Sequence, residues 1–313
     1  MAFQVQGIEM FKNSYKLQPG NYVGIVTPSS PMFSGRLEQG IKFIEQLGFK
    51  AKVGKHVHDS DRFLAGADKE RADDLMQFFL DDEVKVIMAS GGGYGSQRLL
   101  PYLDFDVIAE NPKPVIGFSD TTALQVGLYA KTGLISFSGF IFNCLDDGNL
   151  NEMVHDTLLS CLHRKSYQIN EGSLVNSGKV KAKLIAGNLD CIIHLIGTDY
   201  EPDFTNTILL IEEVRTEPYK LDNMLLQLYQ TGILSKISGL IFGTFNNCDA
   251  KFSSDRDGTS DDVIMDWAKR IKVPCIKNFP YGHIDRRCVL PIGSEVVLDA
   301  TDDIAADFDL FHH

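Results

Sequence analysis

No run of apolar residues in the chain approaches the roughly 20 that a membrane-spanning helix needs, which excludes an integral helical membrane protein. Positive charge is also scarce. Among 313 residues, 30 Lys and Arg stand against 42 Asp and Glu, a formal charge of -12. Such a surface repels phosphate backbones and anionic headgroups, so neither nucleic acid nor a membrane is expected as a partner. Cysteine is sparse and scattered: Cys144, Cys161, Cys191, Cys248, Cys275 and Cys288 contain no pair at zinc-finger or redox spacing. That argues against a metal centre and for thiols used as small core residues in a reducing compartment. The opening MAFQVQGIEMFKN lacks a basic start, an apolar core and a cleavage site, so the cytoplasm is the expected location.

What remains is the composition of a folded protein, 44% hydrophobic and 23% charged, with chain enough for two packed domains. The first half alternates short β-rich runs with helical patterns. Tyr22 to Val26 (YVGIV) reads as a buried strand ending in the loop Thr27-Pro28-Ser29-Ser30. Leu37, Ile41, Ile44 and Leu47 then recur at helical spacing, with Gly48 placed for a left-handed cap. A helix over 68–80, strands over 84–88 and 114–118, and a helix through Leu124 and Leu128 follow. This alternation predicts an α/β fold with a parallel sheet covered by helices on both faces. The second half is more β-rich, with strands expected near 181–185, 208–214, 240–245 and 295–299 and helices only near 221–229 and 261–271. The polar segment 163–178 is the expected boundary, giving domains over 1–165 and 179–313.

Four segments carry chemistry-bearing residues. In Gly117-Phe118-Ser119-Asp120-Thr121 a strand meets a helix at a Gly-x-Ser step, the setting of a nucleophile elbow, although Thr121 stands where that motif has its last glycine. The competing reading is a plain helix cap. Ser90-Gly91-Gly92-Gly93-Tyr94-Gly95-Ser96 fits neither a dinucleotide fingerprint nor a Walker loop. It reads either as an oxyanion or substrate-backbone site or as a tight turn. Glu212 and Glu213 close a strand, as an orienting carboxylate or as one solvated and one capping acid. His283 lies in the turn-rich Pro280-Tyr281-Gly282-His283-Ile284-Asp285, where a lone loop histidine can equally be a surface residue. Taken together, serine, acid and histidine in this chain order supply a nucleophile, an orienting carboxylate and a general base.

On these runs the chain resembles the LD-carboxypeptidase family of serine peptidases, which also contains the microcin C immunity hydrolases. The shared segments include Gly24 to Pro31, Phe63 to Asp68, Gly92 to Ser96, Gly117 to Asp120, Gly187-Asn188-Leu189, Ile211-Glu212-Glu213, Gly282-His283 and Leu290-Pro291-Ile292-Gly293, in the family's order. The resemblance implies a Rossmann-like N-terminal domain and a β-rich C-terminal domain, commonly in a homodimer. It implies a triad of Ser119, Glu212 and His283, oxyanion donors from the amides of Gly93 and Asp120 with Gly92 as an alternative, and Tyr94 and Asn188 as substrate-binding candidates. No metal or cofactor is required. The departures are Gly91, where many members have arginine, and Ser138-Gly139-Phe140, where many have His-Gly-Pro; both are expected to line the substrate cleft. Arg62, Arg98, Arg215 and Arg286 are candidate partners of a substrate carboxylate.

The expected activity is therefore removal of a terminal D-amino acid from a muropeptide by cleavage of an L–D bond through an acyl-enzyme on Ser119. The alternative is an immunity-type amidase acting on peptidyl-nucleotide-like substrates, marked by an aromatic side chain set against a purine. A non-catalytic small-ligand binding protein is the third reading, and the intact trio of serine, acid and histidine speaks against it.

Overall fold

The computed structural model describes residues 17–146, 148–249, 258–301 and 305–308. The opening thirteen residues, His312 and His313 lie outside this set. In chain order the elements are β1 (Tyr22–Val26), α1 (Arg36–Gln46), β2 (Lys50–Val53), α2 (Asp68–Leu80), β3 (Val84–Ala89), α3 (Phe105–Glu110), β4 (Val115–Gly117), α4 (Thr121–Thr132), β5 (Ser136–Ser138) and α5 (Glu152–His163). The second half carries β6 (Tyr167–Ile169), β7 (Ser173–Asn176), β8 (Gly178–Asn188), α6 (Leu189–Ile193), β9 (Thr207–Val214), α7 (Pro218–Gln230), α8 (Ile233–Lys236), β10 (Gly239–Asn246), α9 (Ser260–Ala268), β11 (Cys275–Lys277), β12 (Leu290–Ile292), β13 (Glu295–Ala300) and β14 (Ala305–Phe308).

The architecture is mixed α/β with two sheets built around parallel strands, as the alternation of elements predicts. The first has the order β12-β5-β4-β3-β1-β2 and the second β6-β14-β13-β8-β9-β10-β11-β7. Strands β1 to β5 pair in parallel, and so do β8 to β11. Two features differ from the sequence reading. The polar segment 163–178 is not a bare linker: it holds β6 and β7, which pair antiparallel at opposite edges of the second sheet. Edge strands keep one side toward solvent, which explains their low apolar content. In addition β12, within the range expected for the second domain, pairs antiparallel with β5 and completes the first sheet.

Close packing joins the layers. Gly24 on β1 admits the α2 side chain Phe78, whose ring would lie 2.7 Å from any Cβ at that position. Helix α4 is buried nearly all round, from Thr121 to Leu128, because it packs against β4 and β5 on one side and β8 and α6 on the other. One core cluster consequently runs from Leu124 and Val126 to Leu184, Leu210 and Phe242 of the second sheet. Nothing among the described residues forms a helix long and apolar enough to cross a membrane.

Candidate active site

Strand β4 delivers Ser119 to the carboxyl edge of the first sheet, where parallel-sheet proteins commonly place their ligands. Ser119 has φ 64°, a left-handed conformation that a non-glycine residue seldom adopts. The turn is tight: a Cβ on Gly117 would lie 2.3 Å from Thr121 Oγ1, and that hydroxyl donates back to the Phe118 carbonyl at 3.0 Å. The cap reading of Ser119 fails. Helix α4 starts after Asp120 with no side-chain cap, and Ser119 Oγ instead lies 2.9 Å from His283 Nε2.

His283 sits on a loop whose shape depends on Gly282. At φ 139°, a Cβ there would meet Thr244 Oγ1 at 2.1 Å and Glu212 Oε2 at 3.1 Å, so only glycine brings the loop down onto Glu212. Asn246 holds the His283 carbonyl at 2.8 Å, and the ring leans on Phe118 with centroids 4.8 Å apart. His283 Nδ1 lies 2.8 Å from Glu212 Oε2. A carboxylate on that side calls for a proton on Nδ1, which leaves Nε2 to accept from the serine hydroxyl.

The two neighbouring acids divide by their partners. Glu212 is fully buried and faces His283. Glu213 does not reach His283 and instead accepts from the amides of Asp190 at 3.0 Å and Val214 at 2.8 Å; burial raises its pKa above the ordinary carboxylate value. Asn188, in register with Glu212 on β8, donates to both acids, at 3.3 and 3.1 Å. Asn188 therefore orients the acid from behind and does not line the cavity.

The glycine loop between β3 and the turn at Ser96–Tyr102 lies against the nucleophile. A Cβ on Gly92 would sit 3.2 Å from that of Ser119, and one on Gly93, at φ 108°, would strike Ser30 Oγ at 2.3 Å. Among the described residues, none accepts a hydrogen bond from the amides of Gly92, Gly93 or Asp120. Unengaged amides beside a nucleophile are the donors an oxyanion needs. What the sequence reading missed is the Asp120 side chain. Its carboxylate accepts from Ser29 Oγ at 2.6 Å, from the Ser96 amide at 2.8 Å and from the Gly95 amide at 3.2 Å. Behind it, buried Arg71 donates to the carbonyls of Pro28 and Gly95 and is neutralised by Asp68 at 2.5 Å.

A cavity of about 980 Å³ opens over Ser119 and His283, with Ser30, Phe33, Gly91 to Gly93, Phe118 and Ile284 in its wall. Tyr94 is not in that wall: it is exposed and meets Phe63 edge-on at 5.6 Å. Of the departures from the family pattern, Gly91 lines the cavity, but Ser138 and Phe140 do not. Ser138 Oγ is buried 2.7 Å from Tyr281 Oη, and Phe140 is fully buried against Phe43. The four arginines singled out from the sequence are elsewhere too. Arg98 grips Asp68 at 2.8 Å, Arg286 grips Glu171 at 2.7 Å, Arg62 lies beside Asp61 at 3.3 Å, and Arg215 lines no part of this cavity. The arginines in the wall are Arg36 and Arg287. Spacing from His283 does not single out Arg287, since its neighbour Arg286 turns away to Glu171. A separate group, His56, Asp59 and Glu70, places ligand atoms within 4.8 Å of one another and could hold a cation; none of the three lines this cavity.

The chain itself is similar to known proteins along most of its length. The model of the LD-carboxypeptidase N-terminal domain matches residues 23–139, and that of the C-terminal domain residues 181–298. The probable murein peptide carboxypeptidase of Bacillus subtilis is 31% identical over 95% of both chains. The muramoyltetrapeptide carboxypeptidase of Oxalobacter formigenes superposes with a TM-score of 0.85 at 26% identity, covering 93% of this chain and 100% of that one. The microcin C7 self-immunity protein MccF, solved with aspartyl sulfamoyl adenosine, gives a TM-score of 0.85 at 27% identity over 96% of this chain and 98% of its own.

Proposed function

The chain belongs to the LD-carboxypeptidase family of serine peptidases, and we propose that Ser119, His283 and Glu212 are the residues with which it cuts the L–D bond of a muropeptide. The observation that carries this assignment is the unbroken relay from Ser119 Oγ to His283 Nε2 at 2.9 Å and from His283 Nδ1 to Glu212 at 2.8 Å. Ser119 Oγ attacks the scissile carbonyl while His283 Nε2 takes its proton. The amides of Gly92 or Gly93 and of Asp120 receive the negative oxygen. As the C–N bond breaks, His283 returns the proton to the departing D-amino acid, and a water activated by the same imidazole then releases the acyl group from Ser119. Glu212 keeps the proton on Nδ1 and steadies the imidazolium.

The reading also places the enzyme in the cytoplasm as a homodimer, without metal, cofactor, nucleic acid or membrane. An acidic composition and six unpaired cysteines, four of them buried, support the location, and the resemblance to the family supports the dimer. A second reading, the immunity-type amidase, draws on Phe33, which is 73% exposed on the cavity wall and offers an aromatic face to a base. Incubation with a disaccharide-free tetrapeptide ending in D-alanine separates the two. Release of free D-alanine is expected; its absence, with cleavage of a peptidyl nucleotide, would favour the second.

A further inference from the structure

Arg287 is a buried cation, 7% exposed, in the wall of the cavity that holds Ser119 and His283. Its Nε donates to the Gly139 carbonyl at 2.9 Å, and its terminal nitrogens donate to the Ile284 carbonyl and Cys144 Sγ. Its flat face lies 4.5 Å over the ring of Phe118, the residue before the nucleophile. All of these partners are neutral. Among the described residues no carboxylate forms an ion pair with it. The contrast is internal to the molecule: Arg71, equally buried, has Asp68 at 2.5 Å.

A guanidinium stays charged at any working pH and carries five N–H donors, of which three are used here. Leaving such a charge buried without a counter-ion is costly, and the side chain lines the cavity. A carboxylate matches the remaining N–H geometry. Position narrows the choice. The ring under Arg287 also touches His283, at 4.8 Å, so the cation and the base share one aromatic neighbour. An enzyme that removes a single terminal residue needs its anion site about one residue from the cut bond, and consecutive Cα atoms lie about 3.8 Å apart.

We propose that Arg287 binds the terminal carboxylate of the peptide on the leaving-group side of the scissile bond. The proposal rests on the reading of Ser119 as the nucleophile, but its test does not require turnover. Full-length protein carrying Ser119→Ala is titrated by calorimetry with a tetrapeptide ending in D-alanine and with the same peptide ending in D-alaninamide. The acid is expected to bind about 10–100-fold more tightly. Adding Arg287→Gln should weaken the acid to the level of the amide and leave the amide unchanged, and Arg287→Lys should restore part of the difference. With Ser119 intact, Arg287→Gln should raise KM for the acid by a similar factor with kcat little changed. Equal affinity for acid and amide before the substitution, a preference that survives it, or equal weakening of both peptides would overturn the proposal. If Arg287→Gln does not fold, undiminished acid affinity in Arg287→Lys would overturn it as well. A wild type that releases no D-alanine while Ser119→Ala keeps the Arg287-dependent preference would refute the reaction and not the anion site.

Discussion

Ser29 donates its hydroxyl to the Asp120 carboxylate across 2.6 Å although 91 residues separate them. The bond ties the loop after β1 to the turn that carries the nucleophile, and the same carboxylate reaches the amides of Gly95 and Ser96. Three loops at one sheet edge are thus held by one side chain, whose own backbone amide is a proposed oxyanion donor.

Asp120→Asn should therefore act at a distance from the chemistry. It replaces one acceptor oxygen with a donor facing donors, which should cost about 1–3 kcal/mol in urea unfolding. Loosening the glycine loop should lower kcat by roughly tenfold, since small misplacements of catalytic groups cost at least that much. Wild-type stability and wild-type kcat together would show that the carboxylate does not hold the loop.

Ser119 makes no cap, so stability and activity should separate cleanly there. Both Ser119→Ala and Ser119→Gly should lose hydrolysis by orders of magnitude. At φ 64°, glycine relieves a left-handed strain of about 1 kcal/mol that alanine retains. Ser119→Gly should thus unfold at higher urea than Ser119→Ala. The reverse order would place no strain at this turn.

The two acids should differ in what their amides do. Glu212→Gln keeps the shape but removes the charge beside His283 Nδ1, and kcat should fall by roughly 10²–10⁴-fold. Glu213→Gln should leave kcat within a few-fold and show in thermal melting, since Glu213 binds the Asp190 and Val214 amides. Kinetics with the effects exchanged would reassign the acid.

Asp68 links stability to pH. Hydrogen bonds from Arg98, together with the charges of Arg98 and Arg71, hold its carboxyl below the ordinary 3.8 against the opposing effect of burial. A depressed folded-state pKa contributes stability that is present above the unfolded value and lost as pH falls through the folded one. Asp68→Asn strands Arg71 and should cost about 3 kcal/mol at neutral pH. In urea titrations that gap should stay level down to about pH 5 and narrow as pH falls below 3.8. A gap unchanged at low pH would sever the link.

Much of the chain was legible before folding was considered. YVGIV at 22–26 is too apolar and too short to be anything but a buried strand, and α2 occupies the expected range 68–80. The order of Ser119, the acids and His283 was equally plain, because motif residues sit beside the glycines and strand ends that aim them. Helix α5, its Asn151 cap included, and the three-residue strands β5, β11 and β12 went unread. Strands that short leave too few positions for a period to show.

By itself, then, the sequence determined what depends on neighbours along the chain: the buried strands, the amphipathic helices, the tight turn at Ser119 and the residue types available for acyl transfer. Tertiary structure alone decided that β12 joins the first sheet and that Phe140 is core and not cleft. It also decided that Asn188 backs Glu212 from β8, and that the cavity's arginines are Arg36 and Arg287. These outcomes turn on which surfaces meet between residues that are distant along the chain, 24 positions apart for Asn188 and Glu212 and 91 for Ser29 and Asp120. A side chain's charge is written in the sequence, but whether it keeps its counter-ion depends on what the fold leaves within 4 Å of it.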